Sequence, residues 1–200
     1  MSTPFKLFFW TFPLVLGCDH AAPAESAPPT PSVASALSVA SAAPTLGAPS
    51  SEPALLAVGS DVPDVSAVTQ EGKTVRLRDL KGKPVIVYFY PKDDTTGCTI
   101  EAKGIRDQYA ELKERAVVLG VSTDTQESHK AFAEKYNLPF QLLDDSKHAL
   151  VTAFGVPASS GHAKRVTFVI DKAGKVVKVF PNVNPDGHAA ELILALKGLG

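Results

Sequence analysis

The feature that most constrains the fold is a short apolar run followed directly by a polar turn and a helical pattern. Residues 84–90 read Pro-Val-Ile-Val-Tyr-Phe-Tyr, which is typical of a buried strand. Both faces of such a strand are apolar, as a parallel sheet requires. The polar turn that follows ends at Cys98. The sequence therefore predicts a thiol where a buried strand ends and a helix begins.

Cys98 is the only cysteine in the predicted folded region, because the one other cysteine of the chain is Cys18. At the start of a helix, free N–H groups and the positive end of the helix dipole favour the ionised thiolate. A single cysteine in an arbitrary place would be interpreted as a small buried hydrophobic residue. The junction of strand and helix instead indicates a reactive thiol.

The rest of the domain alternates strands with helices. Strands are predicted at 85–90, 116–121, 140–143, 165–170 and 176–180, with a hairpin joining 55–68 to 73–77. Helices are predicted at 97–115, 125–136, 147–154 and 185–199. This order predicts a thioredoxin-like α/β fold, in which a central mixed β-sheet is flanked by helices. The functional crevice of such a sheet lies at the carboxyl ends of its strands, where Cys98 is expected.

The residues around Cys98 carry a resemblance to a known family. Pro91, Thr95 and Cys98 match the Pro-x-x-x-Thr-x-x-Cys signature of the peroxiredoxins. The longer run from residue 88 to 101 resembles the peroxiredoxin Q (bacterioferritin comigratory protein) subfamily. Further blocks continue the resemblance in the same order, at 106–107, 120–124, 128–130, 132–140 and 165–171. The resemblance covers most of residues 55–198 and implies the peroxiredoxin form of the thioredoxin-like fold.

This resemblance implies a thiol peroxidase that reduces hydrogen peroxide and organic hydroperoxides through a sulfenic acid on Cys98. It implies a hydroxyl from Thr95 that reaches both the sulfur and the peroxide, a guanidinium from Arg165 that stabilises the thiolate, and a shield from Pro91. Without it, Thr95 would be a helix N-cap, Pro91 a turn-former and Arg165 a charge at a strand edge.

Two further residues are implied as supporting groups beside the catalytic ones. Glu101 follows the cysteine by one helical turn, and Arg106 is expected to pair with Glu101 or with Asp107. We expect neither Glu101 nor Arg106 to react with the peroxide itself.

Two positions depart from the pattern of the subfamily. Thr96 stands where proline is usual, which removes no catalytic group. Lys103 stands five residues after Cys98, where many relatives carry the resolving cysteine. We therefore expect a one-cysteine type, whose sulfenic acid is reduced by an external partner such as thioredoxin or a small thiol.

The N-terminus predicts export and lipidation. Lys6 precedes an apolar run of about ten residues, which is too short to span a membrane and is typical of a secretory signal. Residues 15–18 read Val-Leu-Gly-Cys and resemble a bacterial lipobox, so 1–18 is interpreted as a lipoprotein-type signal peptide with Cys18 as the lipidated residue. The alternatives are an ordinary secretory signal cleaved nearby and a short uncleaved anchor.

Residues 19–52 are mostly Ala, Pro and Ser and predict a disordered tether, followed by the folded domain at 53–200. We expect the protein in the cell envelope, lipid-anchored to a membrane on its periplasmic or extracytoplasmic face. The domain is expected to be a monomer or a weak dimer.

Other partners and functions are less compatible with the sequence. The net charge of −1 and scattered basic residues argue against nucleic acid. The five histidines have no metal-ligand spacing, and no phosphate-binding glycine motif is present, so neither a metal nor a cofactor is expected. A membrane-anchored thiol–disulfide oxidoreductase needs Cys-x-x-Cys, but Thr95 and Glu101 occupy the possible partner positions. A non-enzymatic thioredoxin-like binding domain is the remaining alternative.

Overall fold

A computed structural model describes residues 54–199 of the chain. The predicted signal peptide 1–18 and tether 19–52 lie outside the described residues. The strands are β1 Ser66–Thr69, β2 Thr74–Arg76, β3 Val85–Phe89, β4 Val117–Ser122, β5 Gln141–Asp144, β6 Ala158–Ser159, β7 His162–Ala163, β8 Val166–Ile170 and β9 Val176–Phe180. The helices are α1 Thr96–Asp107, α2 Tyr109–Arg115, α3 Gln126–Tyr136, α4 Ala149–Ala153 and α5 His188–Lys197, with a 3₁₀ turn at Leu77–Leu80.

Seven strands form one mixed sheet in the order β2-β1-β5-β4-β3-β8-β9. The strands β3, β4 and β5 are parallel, and every other neighbouring pair is antiparallel. The short strands β6 and β7 pair only with each other. The predicted fold class, a thioredoxin-like α/β fold with a central mixed sheet, is confirmed.

Strand β3 separates two layers of the core, because its side chains alternate between the faces of the sheet. Ile86 and Tyr88 pack in a cluster with residues of α1, α2, α3 and α5. Val87 and Phe89 pack on the other face, in a cluster that includes residues of α4. All five residues of β3 are buried, so the continuous apolar run reflects burial on both sides.

The predicted helix 97–115 is wrong as a single element. The chain forms two helices, α1 and α2, that meet at Gln108, whose φ of −105° and ψ of 10° are not helical. Helix α1 packs against α5, and its Arg106 donates to the carbonyl of Tyr136 at the end of α3. Helix α2 packs against β4 and α5. The break lets each helix pack against its own set of elements. The regular spacing of Ile105 and Leu112 gives no sign of the break.

Smaller differences lie at the ends of the predicted elements. The last helix begins at His188 rather than at 185, because Gly187 precedes it with a φ of +88°. Helix α4 is shorter than predicted and begins after His148, which also has a positive φ. Helix α3 agrees well with its prediction: Thr125 accepts a hydrogen bond from Ser128 as the N-cap, and the helix ends at Asn137.

The first residues that the structure describes lie against the end of α4. The backbone N–H of Leu56 donates to the carbonyl of Phe154 at 2.9 Å. A Cβ at Gly155 would overlap the carbonyl oxygen of Ala54, so only glycine permits this approach. Within residues 54–199, no helix is both long enough and apolar enough to cross a membrane.

Candidate active site

Cys98 is the third residue of α1, in the first turn after the β3–α1 connection. Strand β3 ends at Phe89, and the backbone N–H of Tyr90 still donates to Val121 of β4 at 3.0 Å. The chain then leaves the sheet at the carboxyl ends of its parallel strands and turns into the helix. Cys98 faces the core and is only 2% exposed.

Arg165 reaches Cys98 through the pairing of β8 with β3. These strands are antiparallel, and Val166 at the start of β8 lies opposite Phe89 at the end of β3. Arg165 directly precedes Val166, so its side chain falls beside the first turn of α1. Its Nη2 donates to the Cys98 sulfur at 3.3 Å. The site thus places a fixed positive charge against the only described thiol.

Glu101 lies one turn after Cys98 and forms an ion pair with Nη1 of Arg165. Its carboxylate is fully buried, and this burial raises the pKa of Glu101 to about 7, although Arg165 opposes the shift. Burial by itself would lower the pKa of Arg165. Glu101 and Cys98 outweigh this effect of burial and raise the pKa of Arg165 above its usual value. The Arg165 side chain is therefore shared between a thiol and a buried acid.

Arg106 does not join this site. Its Nε donates to Asp107 at 2.8 Å, and its Nη1 donates to the carbonyl of Tyr136 at 2.8 Å. The sequence predicted a pair with either Glu101 or Asp107, and Arg106 pairs with Asp107. Glu101 pairs with Arg165 instead. Arg106 connects α1 to the end of α3 rather than supporting the cysteine.

Thr95 and Pro91 lie in the connection before the cysteine. Thr95 occupies the N-cap position of α1, but its side chain makes no capping hydrogen bond. Its hydroxyl donates to the carbonyl of Lys92 at 3.1 Å, and the expected contact with the Cys98 sulfur is not among the hydrogen bonds of the described residues. Pro91 is half-buried two residues after the end of β3.

A histidine for which the sequence predicts no role lies close to Glu101. The buried His188 has its Nε2 2.9 Å from the hydroxyl of Thr167 and its Nδ1 3.2 Å from Glu191. The same Nε2 is 4.0 Å from Oε1 of Glu101, which is buried and has no hydrogen-bond partner. Burial lowers the pKa of His188 despite Glu191, so its neutral form is favoured. No sequence pattern pointed to this residue, because it arrives from the far end of the chain.

A second buried polar cluster holds the β3–α1 connection. The Asp93 carboxylate accepts hydrogen bonds from the hydroxyls of Tyr90 at 2.8 Å and Ser128 at 2.7 Å. Nδ1 of His129 lies 2.9 Å from the same carboxylate, and its Nε2 lies 3.1 Å from the carbonyl of Leu143 in β5. His129 is fully buried. The run Ser-His-Lys at 128–130 contributed to the family resemblance, but the spacing of these residues gave no sign of the contact with Asp93.

The adjacent residue, Asp94, is bound at the protein surface by side chains at the end of α3. Its carboxylate accepts two hydrogen bonds from Lys135, at 2.6 and 2.8 Å, and one from the Tyr136 hydroxyl at 2.7 Å. The hydrogen bond from Lys135 is the main reason why the pKa of Asp94 is lowered. Asp94 has a φ of +60°, an uncommon conformation for a residue other than glycine. Both aspartates thus fasten the connection to α3.

The arrangement has the chemistry of a nucleophilic thiol rather than of a dithiol or a metal site. Cys98 is a free thiol, and the described residues contain no group of three or more His, Cys, Asp or Glu side chains placed to hold a metal ion. A guanidinium beside sulfur stabilises negative charge there and can also orient a polar substrate.

Known proteins are similar to this chain in sequence and fold. Residues 58–179 match the AhpC/TSA family. The chain is 43% identical over 150 residues to peroxiredoxin Bcp of Bacillus subtilis, which covers 71% of this chain and 96% of that protein. It is 45% identical over 145 residues to the chloroplastic peroxiredoxin Q of Sedum lineare, covering 70% of this chain and 78% of that protein.

A solved structure agrees with these relatives. The bacterioferritin comigratory protein of Xanthomonas campestris, described as having alkyl peroxide reduction activity, superposes with a TM-score of 0.66 at 32% identity, covering 71% of this chain and 98% of that one. The matched region makes up almost the whole of the Bacillus protein. The chain belongs to the peroxiredoxins, in the peroxiredoxin Q or bacterioferritin comigratory protein subfamily, and is therefore a thiol peroxidase.

Proposed function

We propose that this peroxiredoxin is of the one-cysteine type, with Cys98 as the peroxidatic residue and an external thiol as the reductant. The observation that carries the proposal is the hydrogen bond of 3.3 Å from Arg165 to the Cys98 sulfur. That contact supplies the positive charge which a thiolate needs in a buried pocket. Lys103, an exposed residue of α1, stands where a resolving thiol would be expected from the subfamily.

The first half-reaction transfers one oxygen atom to sulfur. The Cys98 thiolate attacks the terminal oxygen of the hydroperoxide, a sulfur–oxygen bond forms and the oxygen–oxygen bond breaks. The sulfur is oxidised to a sulfenic acid, and the departing alkoxide or hydroxide takes a proton to become alcohol or water. Arg165 stabilises the thiolate and the charge that develops on the departing oxygen. Hydrogen peroxide and alkyl hydroperoxides are the proposed substrates, and the Xanthomonas relative supports the second class.

Thr95 and Pro91 have proposed roles in placing the peroxide. The Thr95 hydroxyl gives its proton to the carbonyl of Lys92, so its oxygen is free to accept a hydrogen bond from the hydroperoxide O–H. Pro91 has no N–H of its own and shields the pocket without competing for the peroxide. Glu101 pairs with Nη1 of Arg165, the guanidinium nitrogen that does not donate to the sulfur.

The second half-reaction uses two external thiols. The first thiol condenses with the sulfenic acid, which releases water and leaves a mixed disulfide on Cys98. A second thiolate attacks the sulfur of the bound reductant, frees the Cys98 thiolate and leaves the reductant as a disulfide. Thioredoxin, with two cysteines, or two molecules of a small thiol would serve this purpose.

Intact-mass measurement tests this proposal on residues 53–200, where Cys98 is the only thiol. About one equivalent of peroxide should add one oxygen to the protein, and dimedone should trap the product. The Cys98→Ser variant should neither gain the oxygen nor consume peroxide. The proposal fails if Cys98 remains a thiol while a generic thiol control reacts, or if oxidised protein accumulates as a disulfide between two copies.

We also propose that the domain works at a membrane surface. The apolar segment and the Val-Leu-Gly-Cys run at residues 15–18 support a lipid on Cys18, with residues 19–52 as a tether in the cell envelope. Labelling of the full chain with a radioactive fatty acid in a bacterial host should be lost in Cys18→Ser. A chain that stays unlabelled, or remains in the soluble fraction, would contradict this location.

A further inference from the structure

One buried carboxylate oxygen near the cysteine has no hydrogen-bond donor. Oε2 of Glu101 pairs with Arg165, but Oε1 has no hydrogen-bond partner among the described residues. Nε2 of His188 lies 4.0 Å from this Oε1, and both side chains are fully buried. A buried carboxylate oxygen without a donor costs free energy, because it has left water and gained nothing in exchange. This side of Glu101 therefore favours the protonated acid.

The partners of His188 determine which ring nitrogen carries its proton. Nδ1 lies 3.2 Å from the exposed carboxylate of Glu191, which can only accept a hydrogen bond, so Nδ1 is the donor. In the neutral imidazole Nε2 then has no proton, and the Thr167 hydroxyl donates to it at 2.9 Å. Nε2 is therefore an acceptor, and it faces a second acceptor, Oε1 of Glu101. A proton on either atom would turn the two acceptors into a donor and an acceptor.

Thr167 is compatible with either position of such a proton. A hydroxyl both donates and accepts, so Thr167 can donate to a bare Nε2 or accept from a protonated one. Thr167 is fully buried in β8, where its hydroxyl lies beside Nε2 in both cases. Moving a proton between Oε1 and Nε2 therefore leaves the contact between Thr167 and His188 in place.

The charges beside the cysteine do not balance without an additional proton. Arg165 brings one positive charge and contacts both the sulfur of Cys98 and the carboxylate of Glu101. If the thiolate and the carboxylate were both ionised, this buried group would have a net negative charge, which a site removed from water disfavours. Groups coupled in this way share their protons. One proton therefore stays either on sulfur, where it blocks the attack on peroxide, or beside Glu101, where it does not.

The other titratable groups nearby do not supply the missing positive charge. Burial raises the pKa of Tyr88 well above its usual value, so its phenol stays neutral. Burial raises the pKa of Glu101 to about 7, although Arg165 opposes the shift. Burial lowers the pKa of His188, although Glu191 opposes that shift. The groups that face the pair are Cys98 from α1, Tyr88 from β3, Arg165 from the start of β8 and Glu191 from α5.

We propose that Glu101 and His188 together hold one proton while Cys98 is a thiolate, and that His188 is a positioning residue for this proton. Its Nε2 is the acceptor that draws the proton towards Oε1 of Glu101 and away from the sulfur. The charge of Arg165 is then left to stabilise the thiolate. This inference rests on the proposed function, in which the Cys98 thiolate attacks the peroxide.

The first measurement locates the proton without changing either residue of the pair. It uses the full chain with Cys18→Ser, in which Cys98 is the only thiol. Ultraviolet absorbance follows the thiolate, and carbon-13 and nitrogen-15 NMR follow the Glu101 carboxyl and the His188 ring over the same pH range. We expect a proton on the carboxyl or on Nε2 throughout the range in which the thiolate forms. The shared proton is refuted if Glu101 is a carboxylate and Nε2 is bare while the thiolate is complete.

The second measurement removes the acceptor in the same chain. His188→Leu replaces Nε2 with an apolar group, so the proton moves towards the sulfur. We expect the midpoint of the thiolate titration to rise by about 0.5 pH unit, and oxidation by hydrogen peroxide below that midpoint to slow by about threefold. His188→Gln places a carbonyl oxygen near the position of Nε2 and should recover most of both changes. His162→Leu, at an exposed histidine of β7, is the matched control and should change neither.

A double variant distinguishes this effect from a general loss of structure. Glu101→Gln has no acid at that position, so Arg165 neutralises the thiolate alone. His188→Leu should therefore cause no further shift of the thiolate titration when Glu101→Gln is already present. A role limited to packing would give the same shift with and without Glu101→Gln, and that result would overturn the proposal. If His188→Leu does not fold, the NMR titration of the Cys18→Ser chain decides the question.

The dimedone experiment separates the shared proton from the proposed function. Absence of a dimedone adduct in wild type refutes the sulfenic acid route itself. A normal adduct, together with an ionised Glu101 and a bare Nε2 beside the thiolate, leaves the proposed function standing and refutes the shared proton alone.

Discussion

Arg165→Ala removes the donor to the Cys98 sulfur and, in the same step, the charge that balances Glu101. A hydrogen bond from a charged donor contributes about 1.5–3 kcal/mol. If the transition state for peroxide reduction loses that amount, the second-order rate constant falls about 10- to 150-fold. We expect a loss within this range at neutral pH.

The same substitution has a separate effect on stability that depends on pH. Burial raises the pKa of Glu101 from its usual 4.5 to about 7, and Arg165 is what limits the rise. An acid whose folded pKa is raised loses stability as pH climbs from its unfolded to its folded value. Without Arg165 the folded pKa of Glu101 lies higher still, so the loss continues above pH 7. The stability difference from wild type should therefore widen in alkaline solution.

Two measurements and one double variant separate these effects. Peroxide kinetics by competition with a reference peroxidase give the rate, and thermal unfolding at about pH 6 and about pH 8.5 gives the stability. Arg165→Ala/Glu101→Gln has no acid left at position 101 to ionise, so it should recover stability at the higher pH while staying slow. The reasoning is refuted if folded Arg165→Ala reacts within about threefold of wild type, or if the double variant regains the wild-type rate.

Substitutions at three further positions test other contacts of the domain. Thr95→Val should slow peroxide reduction by more than about tenfold, and Thr95→Ser should keep most of the rate. A wild-type rate in the valine variant would mean that the hydroxyl only stabilises the β3–α1 connection and takes no part in the reaction. Lys103→Cys should form a disulfide with Cys98 after treatment with peroxide, which non-reducing peptide mapping would detect. Five residues of intact helix rise about 7.5 Å, which is too far for a disulfide, so the helix must unwind for the bond to form. Sulfenic acid without a disulfide would mean that the helix stays intact. Gly120→Ala should lower the free energy of unfolding by about 1–3 kcal/mol in urea titration, because its Cβ would lie 2.7 Å from the buried Tyr88 ring and hydroxyl; an unchanged midpoint would contradict this.

The sequence predicted best those parts of the fold that local pattern determines. The run at residues 84–90 indicates burial on both faces, and β3 is buried throughout. The strand–turn–helix order also placed Cys98 at the start of α1. Arg165 is different, because its approach depends on the antiparallel pairing of β8 with β3 across more than 60 residues of chain. Only the family resemblance pointed to it.

The parts that could not be predicted are long-range polar contacts with no periodic signal. His129 is followed by a lysine and lies in a helix with a polar surface, so its complete burial against Asp93 leaves no trace in the hydrophobic pattern. Glu101 was expected to support the site, but nothing local distinguishes its buried carboxylate from the exposed acids of other helices. His188 reaches the same region from the last helix.

From the break between α1 and α2 we expect two cooperative units on this side of the domain. Gln108 donates to the carbonyl of Gly104 and accepts from Glu111 and Leu112, so it ends one hydrogen-bonded ladder and begins the next. In a continuous helix, fraying that starts near Cys98 could spread by successive turns towards β4. Here we expect it to stop at Gln108, because the buried Leu112 keeps α2 docked on the sheet. Amide hydrogen exchange should therefore fall sharply from α1 to α2, which confines the cost of exposing the cysteine to twelve residues of helix.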